Sequence, residues 1–197
     1  MTPDAARTPA TPPPDPLPAD ARLWLIRHAP QIHGGRLAGR RDVAADLSDG
    51  AALTRLRAAL PLAAPCWTSP ARRCLTTARA LGLAPRLQPL LWEQDFGAWE
   101  GIPFQDLPDI GRLPLPELAA HRPPGGESFH DMAARVQPQL ARASGEVIVT
   151  AHAGTVRAAL AWVAGDAALG FAVAPLSLTI LRRDHGIWSV EAVNRLP

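Results

Sequence analysis

Short apolar runs alternate along the chain with segments in which apolar residues recur at helical spacing. An almost unbroken apolar run such as Arg22–Arg27 predicts a buried strand, whereas Leu53, Leu56 and Leu60 recur at i, i+3 and i+7 and predict an amphipathic helix. The predicted strands and extended segments are Arg22–Arg27, Pro65–Thr68, Arg86–Trp92, Glu146–Thr150, Leu176–Leu181 and Ile187–Val193. The predicted helices are Asp49–Leu60 with Ser48 as its N-cap, a helix opened by Ser69-Pro70 and ended by Gly82, then Glu127–Ala143 and Ala153–Ala164.

This alternation predicts an α/β fold of three layers, in which a mostly parallel central sheet is flanked by helices on both faces. The last two apolar runs surround Asp184-His185-Gly186 and predict a hairpin. The region Glu93–Gly126 is rich in Gly, Pro and acidic residues and predicts a long, partly helical excursion from the sheet. Pro, Ala and Thr dominate residues 1–20, so we expect a disordered tail there and one domain over residues 21–197.

Composition argues against several classes of protein. Hydrophobic residues make up 47% of the 197 residues, as expected for a globular domain. No apolar stretch approaches the roughly 20 residues of a membrane span, and the first residues lack the basic and apolar regions of a secretory signal. We therefore expect a cytoplasmic protein that makes no membrane contact.

All 20 basic side chains are arginines, and the net charge is +2. The arginines form no basic run with interleaved aromatic residues, so nucleic-acid binding is not expected. Cys66 and Cys74 lie in apolar segments and are expected to be buried, reduced thiols. No cluster has the spacing of a zinc site, and we expect neither a metal nor another cofactor.

Polar side chains follow the predicted strands at the points where those strands end. They are Arg27 and His28 after the first strand, Ser69, Arg72 and Arg73 after the second, Glu93 and Asp95 after the third, and His152 after Glu146–Thr150. Ligands of parallel sheets bind beyond the carboxyl ends of the strands. Two histidines, at least two arginines and one or two carboxylates are therefore expected at one edge of the sheet.

Such a set of side chains suits phosphoryl transfer. A neutral imidazole can attack phosphorus and carry the phosphoryl group as a covalent intermediate. Arginines, a second histidine and the amides of a helix N-terminus can stabilise the charge on the phosphoryl oxygens. A carboxyl group can protonate the leaving alkoxide.

The same residues resemble the histidine phosphatase superfamily, which is also called the phosphoglycerate-mutase-like family. The matching blocks are Leu25–Ala29, Ser69–Ala78, Leu91–Gly101, Pro124–Phe129 and Val149–Arg157. They occur in the order that the family has and extend over the chain from about residue 22 to residue 165. Each block alone is weak, but five in the right order are specific.

The resemblance implies a role for each matching residue. His28 corresponds to the phosphorylated nucleophile, Arg27, Arg73 and His152 to the rest of the phosphate pocket, and Glu93 to the proton donor. Spacing within the second block selects Arg73, with Arg72 as the alternative, and Asp95 is the alternative to Glu93. Residues that we expect as possible substrate contacts are Arg40, Asp95, Trp99 and Glu127.

The chain departs from the family pattern at Ala29, Ala151 and Ala153, which stand where Gly, a hydroxyl residue and Gly are usual. Its short length and the Arg27–Pro30 motif are most similar to phosphatases of the alpha-ribazole type and their broad-specificity relatives. The resemblance thus implies a phosphomonoesterase for a small phosphorylated metabolite, possibly alpha-ribazole 5'-phosphate. A phosphoglycerate-type mutase and a phospho-ligand-binding domain without turnover are the alternatives, and both a monomer and a homodimer are open.

Overall fold

The computed structural model describes residues 19–196 of the chain, in which six strands form one sheet of the order β3-β2-β4-β1-β5-β6. The strands are β1 (Ala21–Arg27), β2 (Cys66–Thr68), β3 (Pro85–Leu87), β4 (Gly145–Ala151), β5 (Leu178–Asp184) and β6 (Ile187–Arg195). The helices are α1 (Gly50–Ala58), α2 (Arg72–Ala80), α3 (Leu115–Ala120), α4 (Phe129–Ala141) and α5 (Ala153–Ala164). Four 3-10 turns complete the described part of the chain, at Pro89–Leu91, Gly97–Trp99, Phe104–Asp106 and Gly165–Gly170.

The sheet is parallel over β3, β2, β4 and β1, and β5 and β6 add an antiparallel hairpin beside β1. The register pairs Arg27 with Ala151 and Thr68 with Thr150, so β1, β2 and β4 all end at the same edge. The predictions of a mostly parallel sheet and of a terminal hairpin are confirmed. Because these three strands end at the same edge, polar residues from distant parts of the sequence meet there.

Apolar side chains on the two faces of the sheet belong to two separate cores. Leu23 and Leu25 of β1 pack with residues of α4 and α5, whereas Ile26, whose side chain points to the other face, packs with residues of α1 and α2. Alternate residues of a strand point to opposite faces, so one strand contributes to both cores. The sheet therefore lies between two helical layers, and the predicted three-layer architecture is confirmed.

Several element boundaries differ from the sequence prediction. Asp49, and not Ser48, is the N-cap of α1, and its carboxylate accepts the amide N–H of Ala52. The extended segment predicted to reach Trp92 ends at Leu87. Pro89 cannot donate an N–H to a strand ladder, and it opens a 3-10 turn instead.

Helix α4 begins later than predicted because Ser128 caps it. The Ser128 hydroxyl accepts the amide N–H of Asp131, and the Asp131 carboxylate accepts that of Ser128, which forms a capping box. Glu93–Gly126 contains two of the 3-10 turns and α3, as expected of a partly helical excursion. We call this segment the excursion below.

Residues 1–18 of the predicted tail lie outside the described part of the chain. Ala19 and Asp20, which were assigned to that tail, are bonded to the domain: Arg183 donates to the carbonyl of Ala19, and Gly145 to that of Asp20. Over residues 19–196 no helix has the length and apolar character needed to cross a membrane.

Candidate active site

His28 lies just beyond the end of β1 and is 2% exposed. Its amide donates to the carbonyl of Ala151 at 2.9 Å, which fixes it beside the end of β4. Its ring atom Nδ1 lies 2.7 Å from the carbonyl of Ala29. A carbonyl only accepts, so Nδ1 carries the proton and Nε2 keeps a free lone pair, as a nucleophile requires.

Burial lowers the pKa of His28 to about 3, and the nearby cations of Arg73 and Arg27 act in the same direction, against the carbonyl of Ala29. The ring is therefore neutral at physiological pH. A second histidine, His152, lies edge-on to it, with the two ring centroids 5.3 Å apart.

Arg73 is 1% exposed and its guanidinium reaches the same place from the first turn of α2. It donates to the carbonyls of Gly39 at 2.7 Å and Arg41 at 2.9 Å, and its Nε has no hydrogen-bond partner within residues 19–196. Arg72, the alternative, is exposed at the surface. Of the two arginines, Arg73 is the one whose guanidinium lies beside the ring of His152.

His152 is fully buried at the start of α5, and both of its ring nitrogens have partners. Arg73 Nη2 lies 3.2 Å from Nδ1, and Ser69 Oγ lies 2.8 Å from Nε2. A guanidinium only donates, so Nδ1 accepts and the Nε2 proton goes to Ser69. Burial lowers the pKa of His152 well below its usual value, and Arg73 is the next cause.

The Ser69 hydroxyl bonds the ring of His152 and does not cap α2. The N-cap of α2 is Ala71, which provides no side-chain bond. The sequence correctly showed that Ser69 follows a strand end. The prediction that Ser69 caps the helix after it is wrong, because its hydroxyl bonds the ring of His152 and α2 begins at Arg72.

Arg27, the last residue of β1, donates through Nη1 to the carbonyl of Val173 at 2.6 Å. Its Nε has no partner within the described chain. Burial lowers the pKa of Arg27, and the carboxylate of Glu93 opposes this. Within that same part of the chain, the Nε–H groups of Arg27 and Arg73 are both without an acceptor, and donors of this kind can bind an oxyanion.

Glu93 follows the Pro89–Leu91 turn and is half-buried. Its carboxylate accepts the amide N–H of Gln94 at 3.1 Å, and its other oxygen lies 3.5 Å from the amide of Gly154 in the first turn of α5. A Cβ at Gly154 would overlap the Glu93 carboxylate and the Met132 sulfur. The glycine therefore lets the carboxylate approach α5.

Asp95, the alternative carboxylate, is held elsewhere. One oxygen accepts the amide N–H of Gly97 at 2.8 Å, and the other lies 3.7 Å from Arg40. Of the two acidic residues, Glu93 is the one beside α5 and Arg27.

Glu127 is occupied by other protein groups. Arg135 donates to both of its oxygens at 2.8 and 2.9 Å, Arg40 donates at 2.9 Å, and the amide of Asp95 donates at 3.1 Å. Burial raises the pKa of Glu127, but the hydrogen bonds from Arg135 and from the amide of Asp95 outweigh it and leave the pKa below its usual value. Glu127 and Arg40 thus form ion pairs at the rim, and Arg40 remains partly exposed.

Two positioning residues were missed in the sequence. Arg135 on α4 donates to the carbonyls of Trp92 and Glu93 and so holds the segment that carries the acid. The Thr77 hydroxyl accepts the amide N–H of Ala29 at 3.0 Å and donates to the carbonyl of Arg73, which joins the His28 loop to α2. Motif spacing marks Thr77 as part of the second block, but no sequence signal identifies the partners of Arg135.

Trp99 lies in the excursion, stacked on His121 with the ring centroids 5.5 Å apart. The pair lines a cavity beside the site. Cys66 and Cys74 are buried free thiols, as expected, and Cys74 packs against the ring of His152 at 3.5 Å from Nε2. Among residues 19–196, no group of three or more His, Cys, Asp or Glu side chains is arranged to hold a metal ion.

A family model described as the histidine phosphatase superfamily (branch 1) matches residues 23–196. The structure of TTHB049 from Thermus thermophilus is 32% identical, with a TM-score of 0.74 and coverage of 89% of this chain and 99% of the other. The mycobacterial glucosyl-3-phosphoglycerate phosphatase is 26% identical, with a TM-score of 0.74 and coverage of 89% and 99%.

Curated relatives match over shorter stretches. A bifunctional protein of Mycobacterium tuberculosis is 40% identical over 86 residues, which are 42% of this chain and 22% of that protein. The human 6-phosphofructo-2-kinase/fructose-2,6-bisphosphatase 4 is 30% identical over 108 residues, which are 52% of this chain and 23% of the relative. This chain therefore covers less than a quarter of the length of these relatives.

Proposed function

Because this chain belongs to the histidine phosphatase superfamily, we propose that it hydrolyses a phosphomonoester through a phosphohistidine intermediate on His28. The observation that carries the proposal is the state of the His28 ring. The ring is neutral, it bears its proton on Nδ1, and it lies close to two arginines and a second histidine. The ring itself therefore needs no proton transfer before it attacks.

In the first step, Nε2 of His28 bonds to phosphorus and the bond from phosphorus to the ester oxygen breaks. Glu93 gives a proton to the leaving alkoxide. Arg27 and Arg73 donate to the phosphoryl oxygens, and their fixed positive charges stabilise the transition state in a buried site. His152 stays neutral beside Arg73.

In the second step, water attacks phosphorus on the side that the alcohol has left. Glu93, now a carboxylate, takes a proton from that water, and the bond from phosphorus to His28 breaks. Inorganic phosphate is released and both side chains return to their starting states. In this scheme the guanidinium groups supply the positive charge, so the proposal includes no metal ion or other cofactor.

The substrate we propose is a small phosphorylated metabolite in the cytoplasm. The name of one structural neighbour identifies a glucosyl-3-phosphoglycerate phosphatase, and that of one relative a fructose-2,6-bisphosphatase. Both names describe phosphatases of small phosphorylated compounds. Alpha-ribazole 5'-phosphate is a candidate of the same kind.

The test is release of inorganic phosphate by purified protein from a panel of phosphomonoesters between pH 4 and pH 8, with and without a chelator. We expect turnover that the chelator leaves unchanged. Transfer of phosphate between two positions of a phosphoglycerate, with little release, would show a mutase. Binding of phosphorylated ligands with neither transfer nor release would show a domain without turnover.

A further inference from the structure

Ser69 lies directly after β2, and its side chain is fully buried against His152. Nε2 of His152 donates to Ser69 Oγ at 2.8 Å, since Nδ1 of the same ring accepts from Arg73. The amide N–H of Ala71, the N-cap of α2, donates to the same oxygen at 3.3 Å. The oxygen thus accepts two hydrogen bonds, and the second one ties it to the start of α2.

The ring of His152 connects this fixed hydroxyl to Arg73. Arg73 Nη2 lies 3.2 Å from Nδ1 of His152 and donates to the carbonyl of Gly39 at 2.7 Å. Since Nη1 donates to the carbonyl of Arg41, three contacts together fix the plane of the guanidinium. The remaining donor, Nε–H, has no acceptor within residues 19–196 and can donate to a phosphoryl oxygen.

The contact between Ser69 and His152 has no equivalent substitute nearby. Among the described residues, the other group within hydrogen-bond distance of Nε2 is Cys74 Sγ, at 3.5 Å. A thiol sulfur is a weak acceptor, and burial raises the pKa of Cys74, so the thiol stays protonated. Moving the ring proton to Nδ1 would set two donors against each other, because Arg73 only donates.

We propose that Ser69 is a positioning residue of the reaction, which holds the ring of His152 with Nδ1 unprotonated and thereby keeps the guanidinium of Arg73 in place. This inference rests on the proposed phosphatase function. Loss of the hydroxyl leaves a buried N–H of His152 without a strong acceptor, so the ring shifts and Arg73 loses a contact. Ser69 therefore acts through Arg73 and not on the substrate.

The first test is a double-mutant cycle of Ser69→Ala and Arg73→Lys, with kcat/KM for 4-nitrophenyl phosphate as the readout. Ser69→Ala should lower kcat/KM about tenfold when Arg73 is present. In the Arg73→Lys protein, whose ammonium group has no plane to be held, the same substitution should cost less than about twofold. Equal losses in the two backgrounds would overturn the proposal.

Ser177→Ala is the matched control. Ser177 is also a buried serine, and its carbonyl accepts the amide N–H of Arg27, but its hydroxyl has no partner within residues 19–196. Removal of this hydroxyl should leave kcat/KM within about twofold of the wild-type value. A tenfold loss in Ser177→Ala as well would show a general sensitivity to core substitutions and would overturn the specific role of Ser69.

A second test needs no variant and no turnover. In the nitrogen NMR spectrum of the full-length wild type at neutral pH, Nδ1 of His152 should have the signal of a nitrogen without a proton, and Nε2 that of an N–H. A proton on Nδ1 would overturn the proposal and leave the phosphatase standing. Absence of turnover of every phosphomonoester would instead overturn the proposed function, while the ring signals still report on the contact with Ser69.

Discussion

The floor of the candidate site and the excursion above it are built in different ways. His28, Arg73 and His152 extend from strand ends and helix starts, and each is at most 2% exposed. The excursion, by contrast, consists of turns and the six residues of α3, and it leaves Phe104 49% exposed and Leu115 38% exposed. The sheet holds these three side chains, which form the floor, in one arrangement. It constrains the excursion at few points.

This difference separates two tasks. A phosphoryl group has the same shape in every substrate, so the groups that bind it can be fixed by rigid elements. The alcohol portion differs between substrates, and loops can change to fit it without disturbing the sheet. We therefore expect changes in the floor to affect every substrate and changes in the excursion to affect the choice among substrates.

The largest effect is expected for His28→Ala, which removes the nucleophile. Turnover of every phosphomonoester should fall by at least about 10³-fold, whatever its alcohol portion. The matched control is His130→Ala, because His130 is exposed on α4 and pairs with Asp166. Initial rates of phosphate release would measure both variants, and a His28→Ala protein with more than a tenth of wild-type activity would contradict the assignment.

The second effect concerns the planar guanidinium group of Arg73. Arg73→Lys keeps the charge but loses the planar donors that hold Gly39, Arg41 and an oxyanion together, so kcat/KM should fall about 10²-fold. Arg72→Lys, one residue away and exposed, should stay within about twofold. Equal effects of the two substitutions would show that spacing in the motif selected the wrong arginine.

A third effect concerns the acid Glu93, which is the first residue of the excursion and is expected to matter for some leaving groups more than for others. Glu93→Gln removes the proton needed by a basic leaving group, so turnover of ethyl phosphate should fall about 10²-fold. Turnover of 4-nitrophenyl phosphate, whose leaving group needs no proton, should fall far less. Gly154→Ala should show the same selective loss, because its methyl group would displace the Glu93 carboxylate. A uniform loss for both esters would assign Glu93 to binding.

The smallest effect is on stability in acid. His28 has a pKa of about 3 when folded and about 6.5 when unfolded, so only the unfolded chain takes up this proton as pH falls from 6.5 toward 3. Uptake by the unfolded state lowers the free energy of unfolding, by about 2 kcal/mol between pH 7 and pH 5. Urea unfolding at the two pH values would show this loss in wild type and a smaller one in His28→Asn. An equal loss in both proteins would show that His28 is not buried in the neutral form.

Much of the floor was predictable from the sequence because strand ends and motif spacing are local properties. Arg27 ends an apolar run, and His28, Ser69 and His152 stand at or just after the ends of such runs, while Arg73 lies in the first turn of the helix that follows Ser69. A parallel sheet brings such positions together. The use of Ser69 by His152 was not predictable, since a hydroxyl before Pro70 fits a helix cap equally well. Similarly, Ser48 and Asp49 are both good caps, and only the backbone of the turn selects Asp49.

The excursion was less predictable, because its contacts join residues far apart in a segment without periodicity. Trp99 was a candidate substrate contact in the sequence, but its partner His121 was not a candidate. Glu127 was also a candidate substrate contact, but its carboxylate accepts hydrogen bonds from Arg135 and Arg40. Such choices depend on three-dimensional neighbours that no local pattern contains.

The central claim is that His28 carries the phosphoryl group, and the most direct measurement is intact-protein mass after rapid mixing with a generic phosphomonoester and a quench without acid. The account predicts a transient increase by the mass of one phosphoryl group in wild type, with release of phosphate as it decays, and no increase in His28→Ala. Turnover in wild type without any such adduct, or the same adduct in His28→Ala, would contradict it.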